Sequence, residues 1–439
     1  MRTLNYILII VTFTALAACG GGDSSTAPSS WIGTKQLGTT NKITYGNAVG
    51  TDASGNVYVT GSTTGGLDGN TLTGIYDFFV TKYNSSGVKL YTKQLGVASS
   101  TTVGTAVATD TNGNVYIAGY TTGGLDGNTM MGSTHDFFVT KYDSSGVKQF
   151  TRQLGAAGTK TVGIALAIDP SGNVYIAGYT TGRLDGNVLT GSIDFFLTKY
   201  NSDGVKQFTR QLGATGQETR GYGVATDGSG NVFVVGYTKG SLDGNTLAGT
   251  DDFFVTKYDS SGVKQFTRQL GVAGALTYGT AVATDITGNV FVVGYTTGGL
   301  DGSTLAGTDD FFVTKYNSSG VKQFTRQLGT AGAATFGNEV TIDASGNIYV
   351  VGATGGSLDG NVQVGTDDFF YTKYDNSGVK QYTRQLGVTG RETDGNGVAI
   401  DANNNVYIAG STGGGLDGNA LTGSYDFFVT KFNSSGVKQ

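Results

Sequence analysis

Along residues 31–439 the apolar positions fall in short runs, and no helical period appears after residue 18. The stretch 278–328 shows the pattern. Val, Phe, Tyr and Thr fill Tyr278–Asp285, Asn289–Thr296, Asp310–Tyr316 and Val321–Leu328, and these residue types suit a pleated strand. Four strands, A to D, are therefore predicted. Between A and B stands Asp285-Ile-Thr-Gly-Asn289, and between C and D stands Asn317-Ser-Ser-Gly320. Both read as hairpin turns, opened by Asp or Asn, with Gly supplying a positive φ. Strand C is apolar on both faces, Phe311 and Val313 on one and Phe312, Thr314 and Tyr316 on the other. Both faces must then be covered, as when sheets stack against one another.

The same unit recurs seven times. Asp-x-x-Gly/Asn-Asn-Val/Ile-Tyr/Phe starts at Asp52, Asp110, Asp169, Asp227, Asp285, Asp343 and Asp401, in steps of 58, 59, 58, 58, 58 and 58 residues. Leu-Asp-Gly-Asn/Ser has its Asp at 68, 126, 185, 243, 301, 359 and 417; Asp-Phe-Phe and Gln-Leu-Gly also occur once per unit. Four-stranded units at a fixed period predict an all-β chain folded as a seven-bladed β-propeller over residues 31–439. A linear β-solenoid is the alternative, but its rungs are usually shorter and it needs caps. The ends favour closure. The chain stops at Val437-Lys438-Gln439, partway through a strand D, and the missing half stands at Gly33-Thr-Lys-Gln-Leu-Gly38. The first segment can complete the last blade, which removes exposed sheet edges.

Asp-x-x-Gly-Asn-Val-Tyr-Val, Asp-Phe-Phe-Val-Thr-Lys-Tyr and Gln-Leu-Gly together resemble the bacterial SBBP-type β-propeller repeat. The resemblance spans essentially all of residues 31–439. It implies the propeller fold and no common activity.

Composition narrows the function. Gly is 74 of 439 residues and charged residues are 14%, against usual values of about 7% and 25%. Net charge is −5 with no basic cluster, so a nucleic-acid partner is not expected. One cysteine leaves no disulfide framework or zinc ribbon, and one histidine leaves little for a His-based metal or triad site. No cofactor is expected. Structural calcium at the Leu-Asp-Gly-Asn turns is not favoured, because the dense acidic spacing of calcium loops is missing and an ion needs about 6–8 oxygens.

Residues 1–18 read as a secretory signal, with Arg2 before an apolar run from Tyr6 to Ala18 that is shorter than the roughly 20 residues of a span. Leu16-Ala-Ala-Cys19 followed by Gly20-Gly-Gly-Asp-Ser-Ser25 resembles a bacterial lipobox with a tether over residues 19–30. The resemblance implies cleavage before Cys19, lipid on its sulfur and anchoring in the cell envelope; the protein is expected to be a monomer. Gly20 in place of Asp points to the outer membrane.

The seven Asp of the Asp52 set read as turn caps, and the Leu-Asp-Gly turns as structure folded onto each blade. Strand D carries Lys148, Phe150 and Arg152 on one face, as a charged, shielded edge. His135 holds a place taken by Tyr76, Ile193, Asp251, Asp309, Asp367 or Tyr425 in other units and reads as a surface-loop residue.

Function is expected where the units differ. The D–A connections carry uneven charge. Ring closure puts Lys42 beside Arg391, Glu392 and Asp394, and Lys160 neighbours Glu218 and Arg220. Strand A holds Glu339 where other units have Ala or Gly, and Tyr222 where others have Thr, Asn or Ile. These nine residues are the candidate ligand contacts. D–A and B–C connections share one face of a propeller, and the tether enters on the other, so the variable face is expected to point away from the membrane. The leading expectation is a non-enzymatic binding platform for a protein or glycan. An envelope-assembly scaffold is the alternative, and a hydrolase or lyase the third reading, since no base–nucleophile pair stands out.

Overall fold

A computed structural model describes residues 30–439, so the signal segment and Cys19 lie outside the described residues. Seven four-stranded antiparallel sheets are arranged as blades, with A–B–C–D order from the centre outward in six of them. In the fifth blade the strands are β18 (Thr277–Thr284), β19 (Val290–Thr296), β20 (Asp310–Tyr316) and β21 (Lys322–Leu328), within one residue of the predicted bounds. The seventh sheet runs β26 (Thr393–Ile400), β27 (Val406–Thr412), β28 (Asp426–Phe432) and then β1 (Lys35–Leu37). The N-terminal strand thus supplies strand D of the last blade, pairing Gln36 with Phe428. Gly33 N–H donates to Gln439 O at 2.8 Å, joining the two halves of that strand. Trp31 locks the join by packing on Tyr407 and Tyr83, in blades seven and one.

The core lies between blades. The first Phe of each Asp-Phe-Phe stacks on the second Phe of the next blade, as Phe78 does on Phe138 at 5.0 Å between ring centres. The ring of stacks closes with Phe427 on Phe79 at 5.1 Å. All of these rings are fully buried, and offset aromatic pairs add to the area they bury.

Three of the repeated words meet at one node. Asp310 Oδ2 accepts from Ala306 N–H and from Gln327 Nε2, and Oδ1 accepts from Gly307 N–H, all within 2.9 Å. Gln327 Oε1 in turn accepts from Leu300 N–H, which fixes the Leu-Asp-Gly turn against the blade. The Gly of Gln-Leu-Gly is required by close approach. A Cβ at Gly329 would stand 1.7 Å from Asp310 Oδ1. The same node recurs in the other blades, for example around Asp77 with Gln94 and Gly96.

The Asp52 set caps turns as expected: Asp52 Oδ1 accepts from Ser54 and Asn56 N–H, and Oδ2 accepts from Asn56 Nδ2 and Tyr58 OH. Each Leu-Asp-Gly aspartate pairs with the first lysine of strand D, Asp68 with Lys89 and Asp301 with Lys322 among them. Strand D is therefore shielded by a folded turn as well as by its own charge. Arg268 crosses to the next blade, Nε donating to Gly320 O at 2.9 Å, with its guanidinium over Phe266.

Candidate functional site: the mouth of the central channel

Strand A lines the axis, and each strand A carries one bulge. The register with strand B skips Asn47, Thr105, Ile164, Tyr222, Thr280, Asn338 and Asn396 in turn. A bulge turns its extra residue out of the ladder. Five of these side chains bridge to the next blade. Asn47, Asn338 and Asn396 each donate Nδ2 to Gly104, Gly395 and Gly46 O at 2.9 Å. Thr105 and Thr280 Oγ1 donate to Gly163 O at 3.1 Å and Gly337 O at 2.7 Å. Ile164 has no donor and Tyr222 turns elsewhere, so the chain of bridges is broken on both sides of blade four.

Around these residues is a cavity of about 500 Å³, walled by all seven blades, within the usual range for small-ligand sites. The residue after each bulge also lines the cavity and is small in six blades, Ala48, Ala106, Ala165, Gly223, Ala281 and Gly397, with Glu339 as the single exception. Glu339 Oε1 accepts from Val340 N–H at 2.9 Å. The residue is partly exposed, yet protein surrounds its carboxyl closely. That burial pushes its carboxyl up to about 7, against the one opposing hydrogen bond from Val340.

One side of the mouth is aromatic. Successive ring centres are 5.7 Å apart from Tyr222 to Tyr237, 4.3 Å from Tyr237 to Tyr278, 5.2 Å from Tyr278 to Tyr295, and 4.9 Å from Tyr295 to Phe336. The arc has a local cause. The second residue of strand A faces the sixth of strand B across the ladder, pairing Arg220 with Tyr237 and Tyr278 with Tyr295. The arc continues into blade three, where Arg220 lies 4.7 Å over Tyr179 and Lys160 lies 5.6 Å over the same ring. Tyr222, Tyr278 and Tyr295 line the cavity.

The rim beside Phe336, in blades six and seven, is acidic. Asp394 sits at the second position of its strand A, opposite Ser411. Burial first, and then Asp367 and Glu392, raise its carboxyl to about 6. Asp367 is raised too, by burial and then by Glu392 and Asp368. Glu392 Oε2 accepts from Tyr425 OH at 2.5 Å.

The nine expected contact residues fall into distinct surroundings. Tyr222 and Glu339 line the cavity together. Glu392 and Asp394 join one acidic group, while Lys42 and Arg391 are exposed and make no ion pair with it among the described residues. Glu218 accepts from Tyr237 OH at 3.2 Å and pairs with Arg220 and with Lys239, each at 3.4 Å. Burial works to raise the Glu218 carboxyl; Arg220 and Lys239 overcome it and hold it below its usual range. Lys160 lies over Tyr179 rather than pairing with Glu218. His135 differs from the expected surface-loop residue. Its ring packs 5.2 Å from Tyr120 with Nδ1 buried and unpartnered, and burial, then Lys160, lowers its pKa.

Sequence reasoning missed Lys239, Asp251, Asp367 and the tyrosines 179, 237, 278 and 295. A signal existed, because the sixth residue of strand B varies as Ser62, Tyr120, Tyr179, Tyr237, Tyr295, Ala353 and Ser411.

A family model described as a beta-propeller repeat, SBBP, matches residues 32–68, 90–126, 149–185, 207–243, 265–301, 323–359 and 381–417. The chain is 29% identical to the regulatory protein FlaEY of Caulobacter vibrioides over 94% of its own length and 46% of that protein, so it spans about half the length of that curated relative. Among solved structures, an ulvan lyase, a polysaccharide lyase in complex with an oligosaccharide, superposes with a TM-score of 0.51 at 11% identity, over 92% of this chain and 98% of that one. A mitotic checkpoint complex chain matches with a TM-score of 0.50 at 15% identity, over 92% and 96%. At such identities the likeness is one of fold. The expectation of a non-enzymatic protein is corrected to this extent: polysaccharide lyases share this propeller architecture, so the fold does not exclude an enzyme. That expectation rested on the lack of an evident base–nucleophile pair in the sequence, whereas a propeller assembles its site from strands far apart in the chain. With seven matched repeats covering more than half its length, this chain belongs to the SBBP beta-propeller repeat family.

Proposed function

We propose that the protein binds a saccharide at the mouth of its central channel. The observation that carries this reading is the aromatic arc Tyr222–Tyr237–Tyr278–Tyr295–Phe336 at the mouth of a cavity that Glu339, Asn47, Asn338 and Asn396 also line. Sugar rings have an apolar face that packs on an aromatic ring and a rim of hydroxyls that carboxylates and amides can take. Both kinds of partner stand around one cavity here, on a rigid frame that needs no ordering on binding.

The same reading carries the expected setting. The protein is held at the cell envelope by lipid on Cys19, with the channel mouth turned outward. In its support, the chain enters the propeller at Trp31, against Gly87 of a C–D turn, on the face opposite the mouth.

A glycan array probed with the full chain tests the reading, followed by titration calorimetry on the best ligand. Tyr278→Ala should weaken binding by about two- to tenfold, since stacking on one aromatic ring is worth roughly 0.5–1.5 kcal/mol. Unchanged affinity in Tyr278→Ala and Tyr222→Ala would remove the mouth as the site.

A further inference from the structure

The hydrogen-bond accounting of the channel decides what charge its ligand carries. Asn47, Asn338 and Asn396 commit Nδ2 to backbone carbonyls, which fixes the amide orientation and leaves Oδ1 without a protein partner among the described residues. Thr105 and Thr280 commit their only hydroxyl hydrogen to carbonyls of the next blade. Tyr278 commits its own to Asp251 Oδ2 at 2.5 Å. Each amide keeps one N–H beside its free Oδ1, and the two threonines and Tyr278 keep lone pairs only, so acceptors outnumber donors among these six side chains.

The charged lining points the same way. Glu339 is the one Asp, Glu, Lys or Arg among the residues that wall the cavity. One of its oxygens takes Val340 N–H and the other has no protein partner among the described residues. The guanidinium of Arg220 is drawn off to Glu218 and the face of Tyr179. Three tyrosine rings add π faces, which attract cations and repel anions. A wall of lone pairs, π faces and one carboxyl is complementary to a donor-rich cation, and it disfavours a uronate or sulfate.

We infer that the channel takes a sugar ring bearing a protonated amine, its ammonium group seated on Glu339 and its ring against Tyr222, Tyr278 and Tyr295. This rests on the saccharide reading of the mouth and adds the ligand's charge to it. Blade six alone carries a carboxyl at this position of the lining, so the ammonium has a single seat and the ligand a single orientation.

Calorimetry with glucosamine, N-acetylglucosamine and glucose on the full chain separates the two claims. Glucosamine should bind at least about tenfold more tightly than N-acetylglucosamine, as expected for one desolvated charge pair. Glu339→Ala installs the residue that blades one, two, three and five hold there, so it preserves the fold. It should reduce the preference to within about twofold, while Tyr278→Ala weakens all sugars together. Equal affinity for all three sugars, or a preference that survives in Glu339→Ala, would overturn the inference and leave the saccharide reading intact. Binding of none would sink both.

Discussion

The hydroxyl of Tyr278 donates to Oδ2 of Asp251 at 2.5 Å, tying the second residue of one strand A to the residue before strand C of the preceding blade. Asp251 is 1% exposed and its other oxygen has no partner. The tyrosine therefore satisfies a buried carboxylate that little else supports. Tyr278→Phe should destabilise the protein by about 1–3 kcal/mol, the range for orphaning a buried polar group. Blade three holds Ile193 where blade four holds Asp251. Asp251→Ile added to Tyr278→Phe should recover most of the loss, because both partners are then apolar. Urea unfolding of the two single variants and the double variant checks this; additive losses would contradict it.

The broken ring of bridges around the axis makes a second prediction. Ile164 stands where three other blades carry Asn and two carry Thr, and every one of those donates to the next blade. Ile164→Asn should supply the missing donor toward Gly221 O and stabilise by about 0.5–1.5 kcal/mol. Asn338→Leu should lose a similar amount by opening the ring at blade six. Paired thermal melts read both signs, and a destabilised Ile164→Asn would mean that the apolar contact there outweighs the bond.

The Glu339 carboxyl makes stability depend on pH with a definite sign. Its ordinary pKa is 4.5 and the folded protein raises it to about 7. Between those values the folded state holds the proton more tightly than the unfolded chain, so stability falls as pH rises from about 4.5 to 7 and is flat above. The loss is on the order of 2 kcal/mol once channel water has screened part of it. Glu339→Gln removes the dependence. It should raise stability over wild type at pH 8 and leave it nearly unchanged at pH 4, as read by denaturant midpoints at the two pH values.

Most of the scaffold is legible in the sequence, and the reason is repetition. Seven copies of Asp-Phe-Phe and Gln-Leu-Gly mark the same two strands seven times, so strand order and blade closure follow from spacing. Tyr222 and Glu339 were legible as departures from their six counterparts. The arc was not, because it joins strand A of one blade to strand B of the same blade and to strand A of the next. Tyr237 and Tyr278 lie 41 positions apart and meet at 4.3 Å only because the ring stacks consecutive blades. The pairing of Glu218 with Lys239, within blade four, was hidden for another reason: it depends on the A–B register, which the D–A loop sequence does not carry.

Two glycines of blade five separate steric need from backbone need. Gly302 has φ of +81° and open space where a Cβ would stand. Gly302→Ala therefore suffers only the left-handed conformation, about 1 kcal/mol. Gly329 lacks a positive φ, but its Cβ would lie 1.7 Å from Asp310 Oδ1 and 2.4 Å from Asp310 Cγ. Asp310 is 1% exposed and holds three hydrogen bonds that fix the B–C turn and strand D together. Gly329→Ala must push that carboxylate off all three, and should lose more than about 3 kcal/mol. Removing the obstacle as well, in Gly329→Ala with Asp310→Ala, should fall well short of the sum of the single losses, since the second change deletes what the first displaced. Denaturant unfolding of the three variants beside Gly302→Ala measures each term. A Gly329→Ala protein as stable as Gly302→Ala would show that the node can relax, and that the repeated glycine answers to something other than the aspartate it faces.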